Sequence, residues 1–170
     1  MADLTAIFFI LLIIGVAYPA MLTAWWLLFP AAVDRARLRI QYTPGKSFWL
    51  GLAVLVAFLI PILILLNLPS GFMKFLGFVA IGVMLILSSI GAAGLASRFA
   101  DKLNRLGSFS AIGAFVRGAV IIELASILPI VGWFIFLPIA TVTSLGAAAF
   151  ALLNWAPKTV APAVEVPAQA

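Results

Sequence analysis

Long apolar stretches separated by short polar ones organise the chain from its first residues to about residue 156. The first runs from Leu4 to about Pro30, broken only by Gly15 and Pro19. Roughly 20 apolar residues are enough to carry a helix across a bilayer, so this stretch predicts a spanning helix over 4–30. Further helices are expected at 47–67, 72–97, 111–129 and 133–155. The last two divide one apolar run, 111–155, that is too long for a single crossing. The division falls at Leu128-Pro129-Ile130-Val131-Gly132-Trp133, where Pro and Gly punctuate the pattern. A single kinked helix with an exposed extension is the alternative. The pattern therefore predicts an all-α, polytopic membrane bundle of about five transmembrane helices over residues 1–156.

The joins between these helices differ in charge. Residues 31–47 read as a loop carrying Arg35, Arg37, Arg39 and Lys46, and residues 98–110 as a second loop carrying Arg98, Lys102 and Arg105 against Asp101. The turn Asn67-Leu68-Pro69-Ser70-Gly71 is followed by Lys74 alone, and the turn near 129–133 has no basic residue. Basic loops stay on the cytoplasmic side. This places the N-terminus outside and the C-terminus in the cytoplasm, and an odd number of crossings is consistent with that. Met1-Ala2-Asp3-Leu4 has no positive residue before the apolar run, so the first stretch is expected to be a retained helix and not a cleaved signal. Residues 157–170, with Pro157, Pro162 and Pro167 among alanines, are expected to form an extended cytoplasmic tail.

Composition supports the membrane assignment and narrows the chemistry. Charged residues make up 9% of the 170 and hydrophobic ones 66%, whereas a soluble domain carries roughly 25% charged residues to face water. Such a surface has to meet lipid or other apolar protein. The net charge of +5 is confined to the predicted cytoplasmic loops, which favours an anionic membrane surface as its partner over nucleic acid. Cysteine and histidine are both absent. That removes disulfides, thiolate nucleophiles, imidazole-ligated metals or haem, and any Ser-His-Asp triad. No cofactor held by Cys or His is expected, although lipid, pigment or quinone would fit between such helices.

Within the predicted spans the only charged residues are Arg117 and Glu123, apart from Lys74 near a helix end. A charge at the bilayer centre costs about 2.5–3.5 kcal/mol on insertion scales, so each needs a reason to be there. Arg117 lies near the basic 98–110 stretch and can snorkel outward on its long stem; binding a lipid phosphate or a partner carboxylate is the functional alternative. Glu123 lies about 18 Å into its helix at 1.5 Å per residue, too deep for its short side chain to escape. Six positions separate the two, so they do not share a helix face. Ser126, or Thr141, Thr143 and Ser144 on the following helix, are the expected partners of Glu123. The alternatives are a locked helical hairpin, a contact to another subunit, or a proton or ion relay. Small residues recur on the third helix at Ser88, Ser89, Gly91, Ala92, Ala93, Gly94 and Ala96, a spacing that lets membrane helices approach closely.

At residues 28–55 an apolar helix gives way to Phe-Pro, a basic stretch and Pro-Gly-Lys-Ser before Phe-Trp-Leu-Gly-Leu. At 123–150, Glu-Leu-Ala-Ser-Ile-Leu-Pro-Ile-Val-Gly-Trp-Phe precedes a small-residue helix. In these features the chain resembles the membrane region of uncharacterised bacterial proteins, some of which are linked to bactofilin-like polymer-forming domains. The resemblance implies a bacterial membrane helical module without a catalytic residue. It does not extend to polymerisation, because there is no β-helical repeat. The expectation is a non-catalytic inner-membrane subunit that scaffolds a larger complex, with a respiratory or photosynthetic assembly as a candidate home. A small transporter or channel component working through Glu123 is the alternative.

Overall fold

The computed structural model describes residues 2–155, with side chains described for Thr5, for Ile13 and from Gly15 onward. The tail expected at 157–170 lies outside the described residues. The elements are α1 (Ala2–Leu28), α2 (Pro30–Tyr42), α3 (Pro44–Asn67), α4 (Gly71–Leu106), α5 (Ala111–Ile127), a π-helical turn (Gly132–Phe136) and α6 (Leu137–Leu152), with no strand among the described residues. Among the described residues three helices are long and apolar enough to cross a membrane: α3, α4, and the π turn continued by α6. The bent pair Gly15–Leu28 and Pro30–Tyr42 makes a fourth if counted as one span.

Two expectations about the joins need correction. Residues 31–47 are not a loop: most of them form α2, which leaves α1 at an angle of 108°. Phe29 is the hinge. Its own N–H still donates to the Trp25 carbonyl, while its carbonyl accepts from Ala32 and Val33. Pro30 begins α2 at a position where its missing N–H is no loss and its fixed φ suits a helix. Pro44 begins α3 in the same way. Between the two prolines, Ala32, Val33, Ala36 and Ile40 form a buried stripe, the spacing of an amphipathic helix lying on an apolar surface. The second correction is that residues 98–106 continue α4 rather than starting a loop. At 36 residues, α4 is about 54 Å long at 1.5 Å per residue, far more than a hydrocarbon core of about 30 Å needs.

α4 is the axis of the bundle, touching α1, α2, α3, α5 and α6. On one side α1 and α5 pair, with the rings of Trp26 and Phe115 stacked at 4.9 Å between centroids. On the other side α6 lies between α3 and α4, and backbones meet there with no side chain between them. A Cβ on Gly51 would strike the Val142 carbonyl, and one on Gly146 the Ser47 carbonyl. A Cβ on Gly91 would strike the backbone of Ser144. Lipid gives apolar side chains no reason to leave it for each other, so such close approach, and the dispersion contact it permits, is what holds membrane helices together.

Charged groups fasten the end of the bundle where α2 lies. Arg37 of α2 reaches Asp101 of α4 at 2.5 Å and its own Asp34 at 2.6 Å. Arg98 donates to the Ile40 carbonyl at 2.9 Å, capping the last turn of α2. Arg39 donates through Nε (2.6 Å) and Nη2 to the Trp155 carbonyl and lies over the Phe150 ring at 4.2 Å. Burial pushes the Arg39 guanidinium below its usual pKa, although an arginine stays charged. Asn154, with φ of 55°, takes the left-handed conformation that ends α6 and turns the Trp155 carbonyl toward α2.

Candidate functional site

Between the two halves of the bundle α5 and α6 stand apart, and a cleft of about 670 Å³ opens where they would otherwise meet. A π-helical turn opens α6 at this cleft. Pro138 has no amide to offer the Phe134 carbonyl, and the Leu137 N–H reaches back five residues to Gly132. The widened turn brings the helix round from Leu128 and carries Trp133 and Phe136 into the cleft wall. Single π turns of this kind recur at functional sites.

Glu123 lines the cleft and is 8% exposed. No hydrogen bond or ion pair forms to its carboxylate among the described residues. It sits where α1 is weakest. Its Oε1 is 3.5 Å from the place a Gly15 Cβ would occupy, and Pro19 has no amide with which to close the Gly15 carbonyl. Pro19 is itself buried. Its carbonyl accepts a 2.7 Å bond from the Thr23 hydroxyl.

The expected partners of Glu123 are arranged differently from the sequence reading. Ser126 turns its hydroxyl to the Ile122 carbonyl at 2.8 Å and makes no bond to Glu123. Thr141 and Ser144 lie on the cleft wall opposite, while Thr143 is not part of that wall. The locked hairpin of the fourth and fifth expected helices is therefore replaced by an opening between them. Ser88 and Ser89 of α4 also line the cleft, Ser89 donating to the Ile86 carbonyl at 2.8 Å, and Ala92 completes that wall. Gly91, Ala93, Gly94 and Ala96 are buried in helix contacts away from it.

Arg117 is exposed on α5 and folds back toward the α4–α5 turn, its guanidinium 4.3 Å from the Phe109 ring centroid. Of the basic residues, Arg37, Arg39 and Arg98 are occupied in the ties described above. Lys46, Lys102 and Arg105 are exposed, and Arg35 is half-buried with its Nε unpartnered. No group of three or more metal-ligating side chains occurs among the described residues.

The comparisons with known proteins bear on none of this. No family model, curated protein or solved structure matches the chain.

What sequence reasoning missed was the aromatic side of the site. Tyr18 and Trp25 of α1, with Trp133 and Phe136 of the π turn, surround the region near Glu123. Three of the four stand near expected helix ends, where the sequence alone assigns such rings to the membrane interface. The signal was available in the conjunction of Pro129, Gly132 and Pro138, which marks a disturbed helix rather than a simple turn.

Proposed function

We propose that this chain is a non-catalytic subunit of a bacterial inner-membrane assembly, crossing the bilayer five times through α1, α3, α4, α5 and the π turn with α6. In this reading α2 lies along the cytoplasmic interface, the N-terminus is outside, and the C-terminus is inside. α5 contributes the crossing that its length alone makes marginal: 17 residues give about 26 Å at 1.5 Å per residue.

The observation that carries the reading is the bareness of the outer half of the α3–α4 hairpin. Of α3 only Ser47, Gly51 and Ile62 are buried. In α4 nothing between Gly77 and Ile90 is buried. Phe72, Phe75 and Phe78 are each more than half exposed. A hairpin that its own chain scarcely covers, edged with aromatic rings, offers a face to another membrane helix. Five charged residues, Asp34, Arg37, Arg39, Arg98 and Asp101, are spent in tying α2 to α4 and α6, which suits a scaffold better than a reaction centre.

Purification in a mild detergent followed by mass spectrometry tests this. The chain is expected to copurify with other membrane proteins at fixed stoichiometry. Phe75→Ala with Phe78→Ala is expected to release them while leaving the chain in the membrane. A monodisperse monomer from native membranes would overturn the reading. The cleft at Glu123 supports a second reading, a small transporter or channel component, because it brings a carboxylate to an open space between helices.

A further inference from the structure

We infer that the cleft between α1, α4, α5 and the π turn with α6 binds a hydrophobic organic cation, with Glu123 as its counter-charge. The inference rests on the reading of this cleft as a transport site, and names the class of molecule that such a site would take.

Three observations converge. The space, about 670 Å³, falls within the range of small-molecule pockets, and its wall is mostly apolar. Inside that wall Glu123 is nine-tenths buried, and among the described residues it has no partner and no lysine or arginine lines the cleft. Burial without a cation makes the ionised carboxylate costly, so a ligand that brings the positive charge, and with it lets the group ionise, is favoured over a neutral or anionic one.

Of the remaining polar side chains, which include the unpartnered Trp25 Nε1 donor, two serines point the same way. The hydroxyls of Ser89 and Ser126 donate to their own helix backbones, and each then turns only oxygen lone pairs to a ligand. These groups accept. None of them is a cationic donor that an anionic headgroup could use. Around them stand Tyr18, Trp25, Trp133 and Phe136, whose ring faces attract a cation once water is excluded. An apolar body with a delocalised or alkylated positive centre satisfies all three features. A phospholipid acyl chain satisfies only the first.

The probe is radiolabelled tetraphenylphosphonium, measured by equilibrium dialysis against the full chain in nonionic detergent micelles. Saturable binding is expected, displaced by unlabelled tetraphenylphosphonium and not by its uncharged counterpart tetraphenylmethane. Glu123→Gln is expected to weaken binding about thirtyfold or more, the loss that follows when one member of a buried charge pair is removed. Glu123→Asp keeps the charge and is expected to retain most of the affinity. A second variant, Ala140→Trp, leaves the carboxylate in place but fills the cleft from α6, and is expected to abolish binding. Equal displacement by tetraphenylmethane, or equal binding by wild type and Glu123→Gln, would overturn the inference and show apolar partitioning only. Dialysis reads occupancy alone. Uptake of the same cation into vesicles holding the purified chain reads movement, so binding without uptake would sink the transport reading and leave the site standing.

Discussion

Replacing Gly51 or Gly146 by valine is expected to cost the bundle heavily, because each side chain would have to occupy the space of a neighbouring backbone. Gly51 meets the Val142 carbonyl and Gly146 meets the Ser47 carbonyl. Neither can move without parting α3 from α6. Overpacking a close-fitted core costs about 1–3 kcal/mol, occasionally more. Where the obstacle is backbone rather than a flexible side chain, the upper end applies. In mixed micelles of nonionic detergent and dodecyl sulfate, both variants are expected to unfold at a markedly lower dodecyl sulfate fraction than wild type. Gly82 supplies the control. A Cβ there meets nothing within 4 Å, so Gly82→Val is expected to unfold close to wild type. Equal stability of all three variants would mean that α3 and α6 do not meet at these glycines.

The second large effect is expected at Arg39. Arg39 is 8% exposed, and its guanidinium bonds the Trp155 carbonyl and lies over Phe150, so one side chain joins α2 to the end of α6. A hydrogen bond to a charged group contributes about 1.5–3 kcal/mol, and a partly desolvated cation–π contact about 0.5–1 kcal/mol more. Arg39→Met keeps most of the apolar stem and loses both interactions. It is expected to destabilise the chain by about 2 kcal/mol, since the freed carbonyl can recover some hydration near the bundle's end. Hydrogen exchange is expected to quicken at the amides of residues 149–155 and to stay unchanged in α5. Arg39→Lys restores charge without the planar fork, and is expected to recover only part of the loss. Unchanged exchange in Arg39→Met would show that the contact contributes nothing.

Much of the fold was legible because the bilayer imposes one strong constraint, a run of apolar residues per crossing. The helices at 47–67 and 111–129 are observed as Pro44–Asn67 and Ala111–Ile127. Where the reading failed, polarity was taken for lack of structure. Residues 31–47 carry four basic residues, three of them between Pro30 and Pro44, and read as a loop for that reason. The stripe at Ala32, Val33, Ala36 and Ile40 was visible in the sequence, and Pro30 and Pro44 suit the first turns of two helices as well as they suit loops. The end of α4 was lost in the same way. Arg98, Asp101 and Lys102 mark where that helix becomes polar, and it winds on to Leu106.

The candidate site was only half legible. Glu123 stood out as a deep charge, but its surroundings depend on how α5 and α6 diverge. That divergence follows the turn at 128–131 and the π turn that opens α6, which no apolar pattern announces. Ser126 was drawn to its own backbone carbonyl at Ile122 instead of to Glu123, as serines in helices commonly are.

The central claim, a five-crossing chain with α2 on the cytoplasmic face, is tested most directly by cysteine labelling. The native chain has no cysteine, so single substitutions report without background. Ser70→Cys and Ile130→Cys are expected to react with a membrane-impermeant maleimide in intact spheroplasts. Gly45→Cys and Asn104→Cys are expected to react only after lysis. If Asn104→Cys and Ile130→Cys label from the same side, α5 does not cross the membrane, and the five-crossing account is wrong.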